Sequence, residues 1–315
     1  MAASPTAPRL RVLVDDGASF LNDDDMKIAC KSWSAADGAE PRSALVFLAH
    51  GFAEHCHDRA YDTLARALVG QGFGHGKSDG PRATVTSADV YVDDILSHVD
   101  SVRAKFSGKP VYLIGYSMGG LLVVLAVQRR PKDFAGMILL APFLGAEQAT
   151  RLQVALVRVL GHLMPSVPVS RAAVEMASRD PAAVQQMKDD PLRYHGAVSA
   201  GWASAIFAAL ENAHAQVNAV QLPLFIQHGS GDKMSDPNAS REFFKRAPSK
   251  DKSIKIYVNA YHSLLKEPQG VGEQALKDIV DWLSSRLPTE KTPQPEPTSE
   301  HQVEGTTVPA MSSTA

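Results

Sequence analysis

The chain has 315 residues, 44% of them hydrophobic, a formal net charge of −2 and a pI near 6.6. That is enough for one large core, and without a basic surplus a nucleic-acid partner is not expected. Two cysteines, Cys30 and Cys56, make no disulfide framework and fit a cytoplasmic setting; the opening MAASPTAPRL has no apolar leader core, and no apolar run reaches the ~18 residues of a membrane span.

Residues 1–8 are small and proline-bearing and are expected to be disordered. Leu10–Val14 and Met26–Ser32 are β-like runs around an Asp-rich turn, which predicts an antiparallel hairpin. Ala44–Ala49 (ALVFLA) is continuously apolar, as a strand covered on both faces must be. Val111–Ile114, Met137–Leu140, Leu224–Gln227 and Ser253–Val258 repeat that signal. Helical spacing separates them: Val92, Ile95, Val99, Val102 and Phe106 fall three and four apart, Leu121–Arg130 stops at Pro131, and Ala275–Leu287 closes the series. Alternating strands and helices predict an α/β fold, a mainly parallel sheet with helices on both faces. The alternation fails from about residue 146 to 220, where no strand is evident; this stretch is expected to be a helical cap inserted after the sixth strand. The main domain, with this insertion, is thus expected over 9–287. The Pro-, Ser- and Thr-rich tail, 288–315, is expected to be disordered.

The sharpest chemical signal is Gly115-Tyr116-Ser117-Met118-Gly119-Gly120, between an apolar strand and a helix. This is the context of a nucleophile elbow, in which Ser117 projects from a tight turn at a helix N-terminus. The backbone N–H of Met118 is then one oxyanion donor, and that of Phe52, in the loop after ALVFLA, is the other candidate. Chain order places an acid and a base after the late strands. Asp232 ends LPLFIQHGSGD and His262 ends SIKIYVNAYH. Asp236 is a weaker substitute for Asp232; His50 and His228 are read as structural, and Cys56 as a packed free thiol. In this reading His262 takes the Ser117 proton, Asp232 fixes the imidazole tautomer, and Ser117 carries an acyl group that water removes. No cofactor is needed. The His55-Cys56-His57 cluster lacks a zinc-site spacing, so no metal is expected, and GFGHGKS fails the phosphate-loop spacing.

Arg151–Val167 carries one polar stripe (Arg151, Arg158, His162) on an otherwise apolar surface. Two readings stand: a helix buried between cap and sheet, or a lid that lines an acyl channel and touches a membrane.

Together HGFAEH, GHGKSDG, LIGYSMGG, DFAGMILLAPFL, DDPLRYHG, QHGSGDK and YVNAYHSLLKE resemble the monoacylglycerol lipases, serine hydrolases of the α/β-hydrolase fold, over about residues 42–287. The resemblance implies cofactor-free hydrolysis of a monoacylglycerol to glycerol and a fatty acid by a protein that visits membranes through its cap. It also implies that Glu54 and Arg59 lie near the glycerol head group. Tyr116 departs from the family, where a histidine is common. A lysophospholipase or other carboxylesterase is the alternative within enzymes; a silent binding protein is the alternative outside them.

The second departure precedes Gly74. The family has a strand and an aspartate turn there, so a strand of about five or six residues plus its turn, roughly eight to ten residues, is expected to be absent. Gly70 to Phe73 reaches at most about 14 Å extended, short of the 17–20 Å of such a strand. ALVFLA is therefore expected to have an unpaired edge, or the hairpin to shift inward, at a cost to stability.

Overall fold

In the computed structural model, residues 12–15, 19–21, 27–35, 44–68, 71–73, 83, 87–145 and 150–287 are described. The strands are β1 (Val12–Asp15), β2 (Ser19–Leu21), β3 (Lys27–Ala35), β4 (Leu45–Ala49), β5 (Gln71–Phe73), β6 (Val111–Tyr116), β7 (Gly136–Leu140), β8 (Pro168–Arg171), β9 (Ala197–Ser199), β10 (Leu224–Gly229) and β11 (Lys252–Tyr257). The main sheet runs β1-β3-β5-β4-β6-β7-β10-β11, with β2 also paired to β3. From β5 to β11 every neighbouring pair is parallel, whereas β1 and β2 meet β3 antiparallel. The helices are α1 (Arg59–Leu68), α2 (Asp89–Lys105), α3 (Met118–Arg129), α4 (Arg151–Leu163), α5 (Pro181–Asp189), α6 (Ala200–Ala215), α7 (Pro237–Arg246) and α8 (Val271–Ser284). This is the α/β-hydrolase architecture.

Residue alternation explains the layering. Along β6, Leu113 packs into a core with Val92, Val99 and Leu121 of α2 and α3. Its neighbours Tyr112 and Ile114 pack on the opposite face with Leu64 of α1 and Ile279 of α8. All six residues of β6 are buried, which is why the strand reads as an unbroken apolar run. Burial of each such side chain contributes about 1.5–3 kcal/mol.

Two expectations are corrected here. The edge of ALVFLA is paired: β5 lies between β3 and β4, with Gln71, Gly72 and Phe73 opposite Phe47, Leu48 and Ala49. On its other side Phe73 and Gly72 oppose Cys30 and Lys31. Three residues span only about 10 Å, so the strand fits the short connection that the sequence allows. It covers the carboxyl end of β4, the end that bears the site, and the hairpin does not shift inward to replace it. The second correction lies between β7 and β10, where two short strands do occur. β8 and β9 pair antiparallel across an irregular register, Pro168 opposite Ser199 and Arg171 opposite Ala197. Four- and three-residue strands are too short to show alternation in sequence. The GHGKSDG loop, residues 1–8 and residues 288–315 lie outside the described residues.

Candidate active site

Strand β6 ends at Tyr116 and α3 begins at Met118, so the chain turns on Ser117 alone. Ser117 has φ 53° and ψ −118°, a sparsely populated conformation for a residue with a side chain, costing ~1–3 kcal/mol. Its N–H donates to Leu140 O at 2.9 Å, and its carbonyl accepts from Phe143 N and Gly120 N, each at 2.9 Å. The flanking glycines are required by close approach. A Cβ on Gly119 would lie 2.1 Å from Ala49 O, and one on Gly115 would lie 2.5 Å from Gly119 O. The tight contact of α3 with the end of β4 brings the Gly51 loop against the serine; a Cβ on Gly51 would sit 3.1 Å from Ser117 Cβ.

The loops after β10 and β11 bring the acid and the base to the same place. His262 Nε2 lies 2.9 Å from Ser117 Oγ and His262 Nδ1 lies 2.7 Å from Asp232 Oδ2. The carboxylate can only accept, so Nδ1 carries the proton and Nε2 accepts from the serine hydroxyl. Asp232 Oδ1 accepts from the backbone N–H groups of Met234 (2.7 Å) and Ser235 (3.0 Å). Burial by itself raises the Asp232 carboxyl; the imidazoles of His262 and His228 outweigh it and hold the group well below the ordinary carboxylate range. Asp236 is elsewhere, capping α7 through Asn238 N at 2.7 Å. His228, 0% exposed, is turned toward Asp232 Oδ2 at 3.1 Å. Its spacing to Asp232 across HGSGD is the sequence signal for that contact.

The opposite wall is the loop after β4. Met118 opens α3, so its N–H has no acceptor within the helix. Phe52 stands one residue beyond Gly51, its ring 4.3 Å from that of Trp202. Glu54 is buried, with one oxygen 3.3 Å from Arg193 Nη1 and the other accepting from Gly51 N and the Tyr61 hydroxyl. Burial alone raises the Glu54 carboxyl; Lys266, Arg193 and Tyr61 outweigh it and bring it down to about 2. His55 Nε2 donates to Asp190 Oδ2 at 2.7 Å, and Tyr194 N donates to Ala53 O at 3.0 Å. The loop is thus fastened to residues 190–194, far along the chain. Arg193 has no signal in the sequence that ties it to Glu54. Arg59 is exposed at the start of α1, on the wall of a separate pocket with His57 and Leu192. His50 is buried with Nδ1 2.8 Å from Gly51 O, and Cys56 is buried and in no disulfide. Tyr116 shares a hydroxyl contact of 2.8 Å with Ser263, next to His262.

A cavity of about 500 Å³ opens between α4, α6 and the loop after β10. Val154, Val157, Leu160, Val169 and Phe207 line it, and Asp232 and Ser235 stand on its wall. The outward face of α4 is apolar too: Leu152 is 80% and Leu163 70% exposed.

Fold and site together define an α/β-hydrolase-fold serine hydrolase. The family model described as serine aminopeptidase, S33, matches residues 40–269, and the chain belongs to that family. It is 32% identical to the monoglyceride lipase of Rattus norvegicus over 91% of this chain and 96% of the relative. It is 30% identical to the monoacylglycerol lipase of Mycolicibacterium smegmatis over 85% of this chain and 97% of the relative. Among solved structures, the monoacylglycerol lipase of Paleococcus ferrophilus superposes with a TM-score of 0.71 at 28% identity, covering 83% of this chain and 99% of that one.

Proposed function

We propose that this protein hydrolyses monoacylglycerols to a free fatty acid and glycerol through an acyl-enzyme on Ser117. The observation that carries the reading is the continuous relay from Ser117 Oγ through His262 to Asp232, with spacings of 2.9 and 2.7 Å. His262 withdraws the serine proton as Oγ attacks the ester carbon, then returns it to the departing glycerol oxygen. Asp232 holds the Nδ1–H tautomer and stabilises the imidazolium. The N–H groups of Phe52 and Met118 receive the oxyanion; each donor of this kind is worth on the order of 10²–10³ in turnover. A water activated by His262 then releases the fatty acid.

The apolar cavity under α4 suits one acyl chain, and the resemblance to monoglyceride lipases supports a monoacylglycerol over a two-chain lipid. Residues 146–220 act as a cap, and the exposed face of α4 meets the lipid surface from which substrate enters. No described helix is long and apolar enough to cross a membrane, so the contact we propose is peripheral. Arg59 is proposed to meet the glycerol end. Glu54, 3% exposed with both oxygens engaged, is proposed to hold the loop that carries Phe52.

Hydrolysis of monoacylglycerols, lysophospholipids and aminoacyl-peptide substrates, compared by kcat/KM, tests the substrate class. The reading expects monoacylglycerols to lead. A preference for lysophospholipids or for peptides overturns it.

A further inference from the structure

The end of β10 places a second imidazole, His228, on the acid of the triad. Asp232 Oδ2 is approached by three groups at once: His262 Nδ1 at 2.7 Å, Ser235 Oγ at 2.9 Å and His228 Nε2 at 3.1 Å. His228 Nδ1 is 2.8 Å from Ser240 Oγ on α7. The carboxylate can only accept, so Nε2 carries a proton, and the Ser240 hydroxyl holds the other ring nitrogen. Ser235 Oγ lies at the centre, 3.2 Å from each imidazole and 3.1 Å from Ala141 O. His228, Asp232, Ser235, Ser240 and His262 are all buried, so water does not replace a lost donor.

We propose that His228 is a positioning residue of the hydrolytic site, holding Asp232 Oδ2 between two imidazoles and so setting both the aim and the basicity of His262. This rests on the triad reading above. The two backbone donors to Oδ1 fix one end of the carboxylate, and His228 fixes the other, which stops rotation about the Cβ–Cγ bond. It also takes a share of the charge on Oδ2. The less of that charge is free, the less Asp232 stabilises the imidazolium of His262. Removing the His228 donor therefore loosens the carboxylate and leaves more of the Oδ2 charge facing His262. The titratable groups facing the cluster are Asp232 and His262 themselves and Tyr116 at the end of β6, which the charge of Asp232 reaches. Lys233 is exposed and Asp236 half-buried on the same loop. Toward the ring α7 presents the neutral Ser240.

His228→Leu and His228→Gln separate this role from packing. A glutamine amide reaches about as far as Nε2 and can donate to Oδ2; leucine fills the space without a donor. The measurements are kcat, KM and the acidic limb of the kcat/KM profile, with melting temperature as the check on folding. His228→Leu is expected to lower kcat on the order of tenfold or more at unchanged KM, and to move the acidic limb upward by about half a unit, the scale of one lost neutral hydrogen bond. His228→Gln is expected to return both to within a few-fold of the parent. If His228→Leu does not fold, Ser240→Ala, which removes the partner of Nδ1, is expected to shift the limb in the same direction by less. An active parent whose variants keep its kcat and limb overturns the proposal alone, as does a glutamine variant as impaired as the leucine one. A folded parent that hydrolyses no ester overturns the reading of the site and this proposal with it.

Discussion

The two walls of the site are held by different means. On the acid side, Asp232, Ser235 and His228 lie within eight residues of one another, and His262 follows on the adjacent parallel strand. The side-chain partners of Asp232 itself come from the end of β10 and from the loops beyond β10 and β11. On the oxyanion side, the loop Gly51–His55 is fastened by Arg193, Asp190 and Tyr194, which belong to the chain between β7 and β10. The carboxylate of Asp232 is therefore held from within the fold, whereas the oxyanion side takes its ion pair and its long-range bonds from the cap segment. Cap position reaches the oxyanion wall through Arg193 and Asp190, and the base loop through the bond from Ser263 N to Ala177 O at 2.7 Å.

Substitution on each wall separates these roles. Asp232→Asn keeps the shape of the side chain but removes the acceptor that selects the His262 tautomer. It is expected to lower kcat on the order of 10⁴-fold with little change in melting temperature, read by ester hydrolysis and thermal unfolding. Arg193→Met acts on the other wall. It leaves Glu54 as a buried charge without its guanidinium and is expected to cost about 3–5 kcal/mol of stability, measured by denaturant unfolding. Turnover of the protein that remains folded is expected to fall less than in Asp232→Asn.

Acid titration sharpens the same contrast. Glu54 has its folded-state pKa lowered from 4.5 to about 2. The folded protein then binds fewer protons than the unfolded one between those values, so the stability from Glu54 is complete above pH 4.5 and lost as pH falls toward 2. The loss is roughly 3 kcal/mol. Glu54→Gln is expected to flatten the stability curve over that window; an unchanged slope would remove Glu54 from its proposed place. The smallest effect is expected on the outer face of α4. Leu163→Glu, at a 70% exposed position, is expected to weaken binding to lipid vesicles several-fold while leaving hydrolysis of a short soluble ester unchanged.

The same division explains what could be read from the sequence. Ser117 and Asp232 follow fully buried strands, which announce themselves as apolar runs, and His262 follows the partly buried edge strand β11. The glycines around Ser117 are explained by backbone contacts of 2.1–2.5 Å that leave no room for a Cβ. Arg193 is 139 residues from Glu54, and nothing in either local pattern joins them. Strand β5 was missed for a related reason. Three residues, one of them glycine, carry too little pattern to be seen, and their pairing is imposed by the exposed edges of β3 and β4. Strands β8 and β9 were missed likewise.

The central claim is that Ser117 is activated by the relay to Asp232. A fluorophosphonate probe tests it most directly, applied to the parent and to Ser117→Ala under the same conditions. The account predicts rapid stoichiometric labelling of the parent and none of the variant. A soluble, cooperatively folding parent that stays unlabelled, or a variant labelled equally well, would contradict it.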